Sequence, residues 1–115
     1  MYAVTMPVEA KQVDGVNVVV ISGRLVLGKD VDQLEALVND LIKQTPALIV
    51  FDVSALDYAD SAGIGTFVAC LTNIRKAGGE MRVAGVNARM RRLFQITGIQ
   101  SLMPMYPTVA AATAG

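Results

Sequence analysis

Ala47-Leu48-Ile49-Val50-Phe51-Asp52-Val53, continued through Ser54-Ala55-Leu56 into Asp57-Tyr58-Ala59-Asp60-Ser61-Ala62-Gly63-Ile64-Gly65, is the stretch on which the reading of this chain turns. Its first seven residues are apolar on both faces of an extended backbone, as in a strand at the centre of a sheet. From Ser61 the period becomes helical. Ile64, Phe67, Val68, Leu71 and Ile74 fall on one stripe, Arg75-Lys76 fill the last turn, and Gly78-Gly79 end it. Residues 54–60 read as a loop between the two. A buried strand that leads into a helix N-terminus is where α/β folds present backbone N–H groups.

The flanking segments extend this alternation. Upstream, Ala3 to Val13 is extended in character, and Asp14-Gly15 is a two-residue hairpin turn. Val16 to Ile21, nearly all Val and Ile, reads as a buried strand that Gly23 ends. Val31, Leu34, Val38, Leu41 and Ile42 then mark an amphipathic helix, with Asp30 as its expected N-cap and Pro46 closing the segment. Downstream, Met81 to Val86 reads as a strand. Asn87 caps a short helix carrying Met90, Leu93, Phe94 and Ile96, which Gly98 ends. Leu102 to Tyr106 is a last strand before Pro107. The expected order is β-β-α-β-α-β-α-β: one α/β domain over residues 1–107, with a mixed central sheet and helices packed on it. Residues 108–115, rich in Ala and Thr, are expected as a frayed turn or a disordered tail.

Composition narrows the function classes. Of 115 residues, 53% are hydrophobic and 17% charged, enough for a packed core. Ten Lys+Arg balance ten Asp+Glu, which argues against a nucleic-acid binder or a direct binder of acidic membranes. The chain contains no histidine, so a Ser-His-Asp triad and a His-ligated metal site are excluded within it. Cys70, the single cysteine, allows no internal disulfide and fits a reducing compartment. The start, Met1 to Pro7, lacks the features of a secretory signal, and no apolar run is long enough to span a bilayer. A cytoplasmic protein is expected.

Two readings of Ser61 stand side by side. Its hydroxyl either caps the helix, with Asp60 complementing the dipole, or is presented outward as a phosphoacceptor. Gly63 and Gly65 let another body approach the backbone. They do not form a nucleotide-binding loop, because neither Gly-Lys-Ser/Thr nor a third dinucleotide-type glycine follows. Asp52, Asp57 and Asp60 are read as solvated loop acids before cation ligands. Cys70 is read as a packing residue. Arg89, Arg91 and Arg92 form either a solvated basic face or a contact surface for an acidic partner.

The run Val50 to Gly65 resembles the signature of STAS domains, and in particular of bacterial anti-sigma factor antagonists. Ile21-Ser22-Gly23-Arg24-Leu25, Lys76-Ala77-Gly78-Gly79-Glu80-Met81 and Arg91-Arg92-Leu93-Phe94-Gln95-Ile96-Thr97-Gly98-Ile99 are similar in kind and spacing, so the likeness runs from about Val16 to Tyr106. It implies a protein–protein switch, not an enzyme, with no cofactor and no metal. Ser61 would be phosphorylated by a partner that is both ATP-binding serine kinase and anti-sigma factor. A serine phosphatase would reset it, and sigma-factor-dependent transcription would be the output. The partner-binding residues implied are Asp60, Ser61, Ala62, Gly63, Gly65 and Asp30, in a monomer or weak dimer. Many members carry an acid directly after the Gly-x-Leu motif; Val26 stands there in this chain, and Asp30 is the next acid along. The same fold also serves stressosome-type scaffolds and accessory subunits of lipid-transport ATPases, which are the alternative functions.

Overall fold

A computed structural model describes residues 8–44 and 46–114. Strands β1 (Val8–Val13) and β2 (Val16–Leu25) form the hairpin, with Asp14 and Gly15 at φ 52° and 80°. Two successive positive φ values match the twist of the strands they join. Helix α1 (Lys29–Ile42), strand β3 (Leu48–Ala59), helix α2 (Ser61–Lys76), strand β4 (Glu80–Ala84) and helix α3 (Ala88–Thr97) follow. A 3-10 turn (Ile99–Ser101), strand β5 (Met105–Tyr106) and helix α4 (Val109–Thr113) complete the chain. The sheet order is β1-β2-β3-β4-β5, antiparallel between β1 and β2 and parallel elsewhere. This is the mixed sheet expected from the alternation of strands and helices.

The sheet separates two apolar layers. On one side Val19, Ile21, Ile49, Phe51, Met81 and Val83 meet Leu34 and Val38 of α1, Phe67 and Ile74 of α2, and Met90 and Phe94 of α3. Phe67 stands at the centre, with ring centroids 5.7 Å from Phe51 and 5.6 Å from Phe94, at tilted and edge-on angles that aromatic quadrupoles favour. On the other side Val18, Val50 and Ala84 pack with Ala112 of α4.

Several boundaries differ from the sequence reading, each for a physical reason. Strand β3 does not give way to a loop at Ser54; it runs to Ala59. Its pairing with β2 shifts register twice, so β3 carries extra residues and its inward side chains fall at Val53, Leu56 and Ala59, three apart. That spacing conceals a strand from a search for alternation. Gly23, at φ 71°, sits within one of these irregularities instead of ending β2, which continues to Leu25. Helix α1 is entered through Gly28 at φ 122° with no side-chain cap, so Asp30 lies inside its first turn. Strand β4 begins one residue early and stops before Gly85, whose φ of 78° turns the chain. Of the last expected strand only Met105 and Tyr106 pair, because the 3-10 turn and Pro104 precede them. Part of the Ala/Thr-rich end is helical: Thr108 accepts a cap bond from Ala111 N–H at 3.0 Å, and Arg82 Nη1 donates to the Ala112 carbonyl at 2.8 Å. The expected extension of β1 over residues 3–7 lies outside the described residues.

Candidate functional site

The site grows from the junction of β3 and α2. Asp60 has extended backbone angles and is the N-cap: its Oδ1 accepts from Gly63 N–H at 2.8 Å. Its Oδ2 accepts from Leu27 N–H at 3.0 Å, and its own N–H donates to the Leu25 carbonyl at 3.2 Å. The loop after β2 is therefore fastened to the start of α2 at both ends of one residue. The Leu27 N–H, and then that of Gly63, hold the Asp60 carboxyl below its usual pKa.

Ser61 is the first helical residue and is exposed. Its hydroxyl does not serve as the cap, since Asp60 fills that role. Of the two sequence readings of Ser61, the capping one is thereby corrected. Ala62 is half-buried. Gly63 is buried, and a Cβ built on it would lie 2.3 Å from the Leu25 carbonyl oxygen. The close approach it permits is internal, between α2 and the end of β2. Gly65 is exposed with open space around its Cα. Asp30 is half-buried in the first turn of α1, and among the described residues no hydrogen bond or ion pair joins it to Ser61.

Two residues that the sequence reading did not single out belong to this region. Leu27 is 77% exposed, although its backbone is pinned by Asp60. Tyr58 is also exposed, with the Arg24 guanidinium 5.0 Å from its ring centroid. The available signal was an apolar residue between Val26 and Gly28, in a segment too short to need another core anchor. Asp52 is turned to Ser54, accepting from its N–H at 3.0 Å and its Oγ at 2.7 Å. Among the described residues no three His, Cys, Asp or Glu side chains gather as a metal site. Cys70 is buried, and burial, with the charge of Glu35 second, pushes its thiol up to about 12, so it is protonated and packs as an apolar group.

The sequence profile of the STAS domain matches residues 7–112. The chain belongs to the STAS domain family. An anti-sigma-B factor antagonist of Staphylococcus aureus is 33% identical over 73 residues, covering 64% of this chain and 68% of that protein. The crystal structure of an anti-sigma factor antagonist from Mycobacterium paratuberculosis superposes with a TM-score of 0.78 at 27% identity, covering 93% of this chain and 90% of the other. The phosphorylated form of the Bacillus cell fate determinant SpoIIAA shares the fold, with a TM-score of 0.72 at 23% identity over 93% and 96% of the two chains. Within the STAS family this domain is thus grouped with the anti-sigma factor antagonists. No helix among the described residues is long and apolar enough to cross a membrane.

Proposed function

We propose that this STAS domain is a partner-switching antagonist that binds an anti-sigma factor with ATP-dependent serine kinase activity and is phosphorylated by it on Ser61. One observation carries the reading: Ser61 is exposed at the first position of α2 while its neighbour Asp60 does the capping, so the hydroxyl is free of structural duty. The existence of a phosphorylated SpoIIAA of the same fold supports it. Ser61, Ala62 and Gly65 form the contact with Leu27 as its apolar neighbour, and Asp30 stands at the margin. Asp60 and Gly63 act from behind, by holding that surface in shape.

The switch is electrostatic. Phosphorylation adds up to about two negative charges beside the Asp60 carboxylate, which is ionised at neutral pH. Burying that charge cluster against a partner costs several kcal/mol in lost hydration, and about 3 kcal/mol weakens binding more than a hundredfold. A serine phosphatase restores the binding form. In this reading the domain is a cytoplasmic binding protein and not an enzyme. The test is incubation with the cognate anti-sigma factor and MgATP, followed by peptide mass spectrometry. A single phosphoryl group on Ser61 is expected. Modification confined to another hydroxyl, such as that of Ser54 or Thr72, contradicts the assignment.

A further inference from the structure

A second surface adjoins the Ser61 region and shares Tyr58 with it. Between the end of β3 and α3 runs a groove of about 220 Å³ lined by Tyr58, Arg89, Met90, Arg92, Leu93 and Ile96. Arg89, Arg92, Leu93 and Ile96 follow the i, i+3, i+4, i+7 spacing of one helical stripe. Met90 and Phe94 of the same helix are fully buried, so α3 gives one stripe to the core and shows the other. Ile96 is 74% exposed, and with Tyr58 and Leu93 it makes a contiguous apolar lining, not an isolated exposed side chain.

The groove's charge indicates what it takes. Helix α3 carries no acid, and two of its three arginines, Arg89 and Arg92, line the groove, in a chain whose formal charges cancel overall. Among the described residues the ion pairs are Lys43–Asp40 and Arg82–Glu80, neither of them here. Arg24, lying over Tyr58, adds a cation on the β2 side, and Asp57 at the lip offsets one of these charges. We propose that this groove docks an acidic amphipathic segment of a protein partner. Its carboxylates meet the planar forks of Arg89 and Arg92, and its apolar side chains cover Tyr58, Leu93 and Ile96. A second copy of this face is disfavoured, since a two-fold contact would bring arginines of α3 against one another. The concave, apolar floor suits side chains inserted from a peptide better than a lipid headgroup plane. The proposal does not depend on Ser61 being modified.

The probe is an acidic peptide about four helical turns long, with Leu at i, i+3/i+4 positions and Glu flanking them, beside a twin in which every Glu is Lys. Both are titrated into the isotopically labelled full chain and followed by amide shifts. The Glu peptide is expected to move Tyr58 and the α3 amides and to weaken as salt rises to about 0.3 M. R89E/R92E is expected to lower its affinity about tenfold or more, and Ile96→Ser to lower it while leaving the salt dependence. Equal binding of the Lys twin, shifts confined to other elements, or no binding overturns the proposal. So do concentration-dependent shifts at Ile96 without peptide, which assign the groove to self-association. Shifts caused by phosphatidylglycerol vesicles but not by the peptide assign it to a membrane and overturn it as well.

Discussion

Helices α2 and α3 begin in almost the same way and end up with opposite tasks. Each starts after a strand, and each is capped by an Asx residue whose side-chain oxygen accepts from the N–H three residues on: Asp60 from Gly63 at 2.8 Å, Asn87 from Met90 at 2.9 Å. Each Asx side chain also reaches a neighbouring segment. Asp60 accepts from Leu27 N–H, whereas Asn87 Nδ2 donates to the Leu56 carbonyl at 2.8 Å. A carboxylate only accepts and an amide does both, so the second partner dictates which Asx residue stands at which cap. The third helical position differs too. Met90 fills the core in α3, while Gly63 in α2 leaves room for the Leu25 carbonyl. Thus α3 starts as a piece of core, and α2 starts as a braced platform with a serine on its exposed edge.

The sharpest way to break this contrast is at the third position of α2. Gly63→Ala places a methyl group 2.3 Å from a backbone oxygen, and the backbone must move. A loss of about 3 kcal/mol or more in urea unfolding is expected. Gly65→Ala, two residues on with nothing within 4 Å, is expected to raise stability by up to about 1 kcal/mol. A similar loss at both positions would show that the packing against β2 is not what requires glycine.

Exchanging the cap chemistry comes next. Asn87→Asp keeps the bond from Met90 N–H but sets a carboxylate oxygen against the Leu56 carbonyl, for an expected loss of about 1–3 kcal/mol at neutral pH. Protonation restores a donor toward the Leu56 carbonyl, so the loss is expected to shrink in acid. Asp60→Asn keeps the bond from Gly63 but loses the one from Leu27, and a smaller drop in the denaturation midpoint is expected. Here the sign is opposite. The folded pKa of Asp60 is lowered, so its stabilisation is present above the unfolded carboxyl value of about 3.9 and is lost as pH falls through the lower folded value. Wild type is expected to lose stability in that acid range by more than the Asn variant does. Parallel pH profiles would contradict the clamp.

The sequence shows one of these two caps more clearly than the other. Asn87 is legible because an apolar helix period starts directly after it and Gly98 closes it at φ 74°. Asp60 is obscured by Ser61, an equally good capping residue one position on, and local propensity cannot rank the two. The Leu27 N–H ranks them, and it arrives from a segment 33 residues away. The same holds for β3 beyond Val53. Its irregular pairing with β2 replaces alternation by a spacing of three, which only the paired strand explains. Helix α4 is short and weakly patterned. It is held by the buried Ala112 and by Arg82, which meets the Ala112 carbonyl, pairs with Glu80 and lies 5.3 Å from the Tyr106 ring centroid. The Ser61 hydroxyl could be pointed to from the sequence, but its freedom from capping could not.

That freedom is the smallest structural effect and the largest functional one. Because the fold does not use the hydroxyl, Ser61→Ala is expected to change stability by no more than about 0.5 kcal/mol. A loss near 1 kcal/mol or above would restore Ser61 to a capping role. The most direct test of the whole account is a calorimetric titration of wild type and Ser61→Asp against the cognate anti-sigma factor, with both proteins first shown to unfold at the same midpoint. The account predicts that Ser61→Asp binds about a hundredfold more weakly or worse while remaining as stable. Binding of Ser61→Asp as tight as that of wild type would contradict it.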